Sequence, residues 1–191
     1  MATRRSTERW RPSLTSSVAD LWEVIGLEAE RESPLWGAAL RDEGSREREP
    51  VFSTLAEERW ALGLETIYEG YLMHYGSPRL FAPADRDTGL LLGDYLYAHG
   101  LVRISEHEEV AADTDLAELI SLCAQLRADE TDGDGVAWAA TAALLGTGGL
   151  EDARSALRRD GDGAPLAGLA RAAAGADAVD AALAAHRLRV G

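Results

Sequence analysis

The chain has no lysine and only one cysteine, and no uncharged apolar stretch reaches the roughly 18 residues needed to cross a bilayer. The single cysteine, Cys123, permits no intrachain disulfide and suits a reducing compartment. It falls in the apolar pattern Leu119, Leu122, Cys123, Leu126 with no reactive constellation nearby in sequence, so it reads as core rather than as a nucleophile. No N-terminal apolar run resembles a signal peptide, and the expectation is a soluble, cytoplasmic protein without a membrane span. Also missing are a His-x-x-x-His or Cys-x-x-Cys spacing, a Walker loop, a dinucleotide fingerprint and a Ser/His/Asp arrangement. Zinc sites and the corresponding enzyme classes therefore have no sequence support. All 19 basic residues are arginines, set against 33 acidic residues for a formal net charge of −14, which disfavours nucleic acid and anionic membranes as partners.

With few β-branched residues, an alanine and leucine bias and little period-two alternation, the composition points to an all-α protein. The 191 residues suffice for one sizeable core. We read residues 1–15 as a flexible arginine-rich tail, with Arg4, Arg5, Arg9 and Arg11, and residues 16–191 as a single helical domain. Ser17 is placed to cap a helix over 18–31, and Ser33-Pro34 restarts a short one carrying Leu35, Trp36 and Leu40. Residues 42–50 read as an exposed connector. Thr54 with Glu57 forms a capping-box pattern for a helix to Tyr75, with Trp60, Leu64, Ile67 and Tyr71 on one stripe. Gly76-Ser77-Pro78 stops it. Residues 87–105 predict a central buried helix, because apolar residues surround nearly its whole circumference apart from Gly93 and Asp94. Asp113 or Asp115 is expected to open the next helix, to about Ala128. The stretch 132–135 is expected as a loop, followed by an alanine-rich helix with Trp138 and by two or three short helices.

Taken together, Glu65, Thr66 and Glu69, then His74-Tyr75-Gly76-Ser77-Pro78, then Gly93-Asp94-Tyr95-Leu96 resemble the trans-polyprenyl diphosphate synthases in order and spacing. That resemblance covers about residues 65–126. In that family an Asp-Asp-x-x-Asp helix holds magnesium against the allylic diphosphate, and two arginines before a Gly-x-Pro turn bind the donor diphosphate. Carboxylates at i and i+4 share a helix face, which is what such a magnesium site needs. The matching positions here are Glu65 and Glu69 for the metal, with Thr66 in place of the middle carboxylate, and His74 and Tyr75 for the two arginines. Neither of the latter replaces a bidentate guanidinium. Arg79 is nearby but out of register. A second aspartate-rich motif is missing: Glu151-Asp152 with Ser155 lacks the third carboxylate. Residues Glu130, Asp132, Asp134 and Gly135 evoke a calcium loop, but Thr141 stands where its glutamate belongs.

The pattern is most similar to the non-catalytic component I of heptaprenyl diphosphate synthases. The resemblance implies a truncated isoprenoid-synthase-like bundle without independent activity, an oligomer of its own or with a catalytic synthase, and structural roles for Gly93, Asp94 and Tyr95. No cofactor is expected. Two alternatives remain open: a divergent prenyl-diphosphate-utilising enzyme with magnesium on Glu65 and Glu69, and a helical interaction module unrelated to isoprenoids. Glu65 and Glu69 also fit the solvated face of an amphipathic helix, and His99 fits a satisfied core histidine.

Overall fold

The computed structural model describes residues 16–190; the arginine-rich segment 1–15 and the side chain of Ser17 lie outside the described residues. The described residues form an all-α bundle: α1 (Ser16–Glu32), α2 (Pro34–Ala39), α3 (Ala61–Tyr75), α4 (Arg86–Ser105), α5 (Val110–Ala128), α6 (Asp134–Ala143), α7 (Glu151–Asp160), α8 (Ala164–Ala174) and α9 (Ala176–Val190). Among them the sole extended pairing is an isolated antiparallel bridge between Leu40 and Phe81. None of these helices is long and apolar enough to cross a membrane.

Local chemistry explains several of the boundaries. Ser33 Oγ accepts the Leu35 N–H at 3.2 Å with Pro34 in the first turn of α2, and Asp85 Oδ1 accepts the Thr88 N–H at 2.8 Å to start α4. At its other end, α7 stops at Gly161, whose φ of +66° lets the chain enter the left-handed region. The capping box expected at Thr54 does not form. Residues Ser53–Leu55 and Glu58–Trp60 are single 3₁₀ turns, and Thr54 Oγ1 donates to the Val51 carbonyl instead. The reason lies in the core: Glu65 draws in the N–H groups of Val51 and Ser53, bending the chain before α3 begins.

The central element is α3, in which every residue over 63–72 is buried. The expectation of a central α4 is thereby corrected: α4 buries Leu92, Leu96 and Ile104 on one side, while Leu91 and Val102 are exposed on the other. The two helices run antiparallel in unusually close contact. A Cβ on Gly100 would lie 2.4 Å from Ile67 Cγ1 and 3.0 Å from the Gly63 carbonyl, and one on Gly70 would lie 2.9 Å from the Gly93 carbonyl. On either side of α3 lies apolar packing. The larger cluster gathers Trp60, Leu64, Tyr68, Leu116, Leu122 and Trp138, and the smaller gathers Trp22, Ile25, Phe81 and Leu92. Cys123 belongs to the larger cluster, where burial pushes its thiol well above its ordinary range.

Asp115 does not open α5, which starts at Val110. It lies inside the helix, buried, accepting from Arg154 Nη1 at 3.0 Å and from the Gly146 N–H at 3.0 Å. Arg154 also donates to Thr141 Oγ1, so one buried ion pair links α5, α6 and α7. His99 is not a core residue but a partly exposed one, with Nε2 at 2.7 Å from Glu28 Oε2, and Arg103 joins the same carboxylate from the next turn of α4.

Candidate functional site

Glu65 and Glu69 do share a face of α3, as i and i+4 spacing requires. That face turns inward. Both side chains are buried, which corrects the solvated-face expectation, and between them lies Arg79, itself 0% exposed. Arg79 Nη1 donates to Glu65 Oε2 at 2.5 Å and Nε donates to Glu69 Oε2 at 3.0 Å. The other carboxylate oxygens are equally engaged. Glu65 Oε1 accepts from the Val51 and Ser53 N–H groups and from Ser53 Oγ at 2.6 Å, while Glu69 Oε1 accepts from the Arg79 and Leu80 N–H groups at 2.8 and 2.7 Å.

One guanidinium against two carboxylates leaves a formal negative charge in the interior, and these neutral donors solvate it in place of water. The guanidinium carbon also lies 4.5 Å from the Trp22 ring centre and 5.0 Å from that of Tyr68. Burial would depress the Arg79 guanidinium, but the charges of Glu65 and Glu69 and their hydrogen bonds outweigh it and raise it further. A hydrated magnesium ion would have to displace Arg79 to reach these oxygens. Among the described residues there is no group of three or more His, Cys, Asp or Glu side chains placed to hold a metal. The signal for this arrangement was in the sequence: an arginine set between Pro78 and the apolar pair Leu80-Phe81.

His74 and Tyr75 form the last turn of α3, away from that cluster. His74 Nε2 stands 3.2 Å from Asp94 Oδ1, and the His74 ring stacks on Tyr97 at 5.2 Å. Gly93 explains the fit, since a Cβ there would come within 2.6 Å of His74 Nε2. The buried Asp94 implied by an all-round apolar α4 is corrected: its side chain is 71% exposed. Tyr95 packs against Trp36 and His99. Thus Gly93 serves the packing of α3 on α4, Tyr95 serves that of α2 on α4, and Asp94 sits at the rim.

A second polar cluster was not anticipated from the sequence. Tyr71 Oη and Arg127 Nη2 both donate to Asp134 Oδ2, Arg127 Nε donates to Tyr71 Oη at 3.0 Å, and Asp134 Oδ1 accepts the Gly135 N–H at 2.9 Å. His186, brought in from α9, lies with Nε2 at 3.5 Å from Asp134 Oδ2 and Nδ1 at 3.0 Å from Tyr68 Oη. Burial would raise the Asp134 carboxyl, but the His186 ring 3.5 Å away, the hydrogen bond from Tyr71 and the charge of Arg127 hold it well below the usual aspartate range. The Tyr71 hydroxyl moves the other way, pushed up by burial and then by the Asp134 charge. Asp134 was read from sequence as part of a loop of acidic residues. Its partners come from α3, α5 and α9, which no local pattern could have joined to it. Comparison with protein-family models, with curated proteins and with solved structures finds no match to this chain.

Proposed function

We propose that this chain is a non-catalytic helical subunit that partners a trans-polyprenyl diphosphate synthase. The observation that carries the reading is the use made of Glu65 and Glu69. At the positions where the resembled family binds magnesium, both carboxylates are committed to Arg79 and to backbone N–H groups in a sealed interior. Without a metal clamp the leaving diphosphate is not neutralised, and electrostatic stabilisation is usually the largest catalytic contribution. The chain then needs no magnesium of its own and acts through its surface. The outer face of α4 supplies that surface, where Leu91, Ala98 and Val102 are exposed and Tyr95 is half-buried at i, i+4, i+7 and i+11. The C-terminal half of α3, residues 69–75, is mostly interior and contributes little to that surface.

The test is to mix the purified chain with a synthase that retains both aspartate-rich motifs and is encoded beside it. Light scattering should detect a complex that Leu91→Asp with Val102→Asp abolishes, and the chain alone with magnesium should condense no allylic diphosphate with isopentenyl diphosphate. Product formation by the chain alone, or absence of any complex, would overturn the proposal.

A further inference from the structure

Where the end of α5, the start of α6 and the last turns of α9 converge there is a cleft of about 550 Å³, within the size range of sites for small organic molecules. Val136, Leu183 and Val190 make its apolar wall, and Arg127, His186 and Arg187 its polar end. Three features of that end call for a negative group. Arg187 is exposed on the rim and has no ion-pair partner among the described residues. Arg127 spends Nε and Nη2 on Tyr71 and Asp134, which leaves Nη1 without a partner. His186 is buried, and its Nε2 lines this end of the cleft without a hydrogen-bond partner. The N-terminus of α6, at Asp134, opens onto the same space and favours an anion there.

The charges also limit what the anion is. Asp134 is already matched by Arg127 and Tyr71, but Asp132 stands on the rim as well and would repel a doubly charged group most. A single carboxylate meets about half of the repulsion that a phosphate dianion would, and its two oxygens suit the guanidinium of Arg187. The apolar wall then requires a ligand with a hydrocarbon body.

We propose that this cleft is a binding site for a small carboxylic acid with an apolar body, its carboxylate taken by Arg187, Arg127 Nη1 and His186 Nε2, and its body laid against Val136, Leu183 and Val190. The site is independent of any partner on α4.

Octanoate is the probe, titrated into the full chain at neutral pH and followed by amide chemical shifts and by thermal melting. Saturable shifts at Gly135, Val136, Leu183 and Val190 with a raised melting temperature are expected. Arg187→Ala removes an exposed side chain and should weaken octanoate binding about tenfold or more, the loss expected for one charge-assisted hydrogen bond. Val136→Glu, which sets a carboxylate in the cleft, should abolish it. Octanol and acetate, which each carry half of the ligand, should bind far more weakly. The proposal is overturned if octanoate gives no saturable shifts at those amides, if Arg187→Ala binds as the parent does, or if acetate or inorganic phosphate binds as tightly as octanoate.

Discussion

Arg79 Nε stands 3.0 Å from Glu69 Oε2 with neither side chain reaching solvent. The same guanidinium holds Glu65 one helical turn away, and through the two carboxylates it ties residues 51–53 and 79–80 to α3. The chain segments that enter and leave the central helix are therefore fastened at one point. Arg79→Met would leave two buried carboxylates facing each other without a cation, and loss of one partner from a buried pair costs about 3–5 kcal/mol. Urea unfolding at pH 7 should show a loss of that size for Arg79→Met and a substantial loss for Arg79→Lys, whose point charge cannot span both carboxylates. A midpoint within about 1 kcal/mol of the parent would mean that the segments are held by packing alone.

This cluster also marks how far the sequence could be read. The all-α class, the short helix after Ser33-Pro34, the stop at Gly76 and the burial of Cys123 were all legible, because each follows from local composition or from one turn of chemistry. The start of α3 was not. Thr54 and Glu57 satisfied a local capping rule, and a contact with Glu65 overrode it. The i, i+4 relation of Glu65 and Glu69 was read correctly as a shared face, yet periodicity says nothing about whether a charged face looks at water or at an arginine ten residues further on. The cluster around Asp134 was invisible for the same reason: His186 lies 52 positions away and Tyr71 63.

Asp134 should make stability depend on pH. Its folded pKa is depressed, so by linkage its contribution is fully present above the unfolded aspartate value of about 3.9 and is lost as pH falls through and below that range. Comparing the chain with Asp134→Asn by urea unfolding from pH 7 to pH 3, the stability gap should be widest at neutral pH and narrow steadily below about pH 5. A gap that stays constant across the series would show that Asp134 titrates alike in both states.

The Cys123 thiol, buried and shifted upward, should be inert in the native protein. Ellman's reagent should label it at a rate set by unfolding, unchanged in native buffer between pH 7 and pH 9 and fast in denaturant. Rapid native labelling that rises with pH would place the thiol within reach of solvent.

Asp94→Ala should change stability by less than about 1 kcal/mol, since an exposed carboxylate beside a histidine contributes little more. Gly93→Ala, one residue earlier, should cost more, because its Cβ would meet His74 and drive that ring off Tyr97. Thermal melts of the two variants should rank in that order, and a larger loss for Asp94→Ala would return the carboxylate to a structural role.

Two helical glycines should respond to alanine with opposite signs. At Gly100 the added Cβ would lie 2.4 Å from Ile67 Cγ1 and 3.0 Å from the Gly63 carbonyl, and backbone cannot move aside as a flexible side chain does. Forcing α3 and α4 apart there should cost about 1–3 kcal/mol. At Gly168, exposed in α8, nothing lies within 4 Å of the new atom. There the methyl group only restricts the unfolded chain and favours the helix, a gain of about 0.5–1 kcal/mol. Chemical denaturation of Gly100→Ala and Gly168→Ala should thus move the midpoint in opposite directions. If both variants lost stability, Gly168 would have to be packed against a neighbour; if neither did, the close contact of α3 with α4 would not be what holds the central helices together.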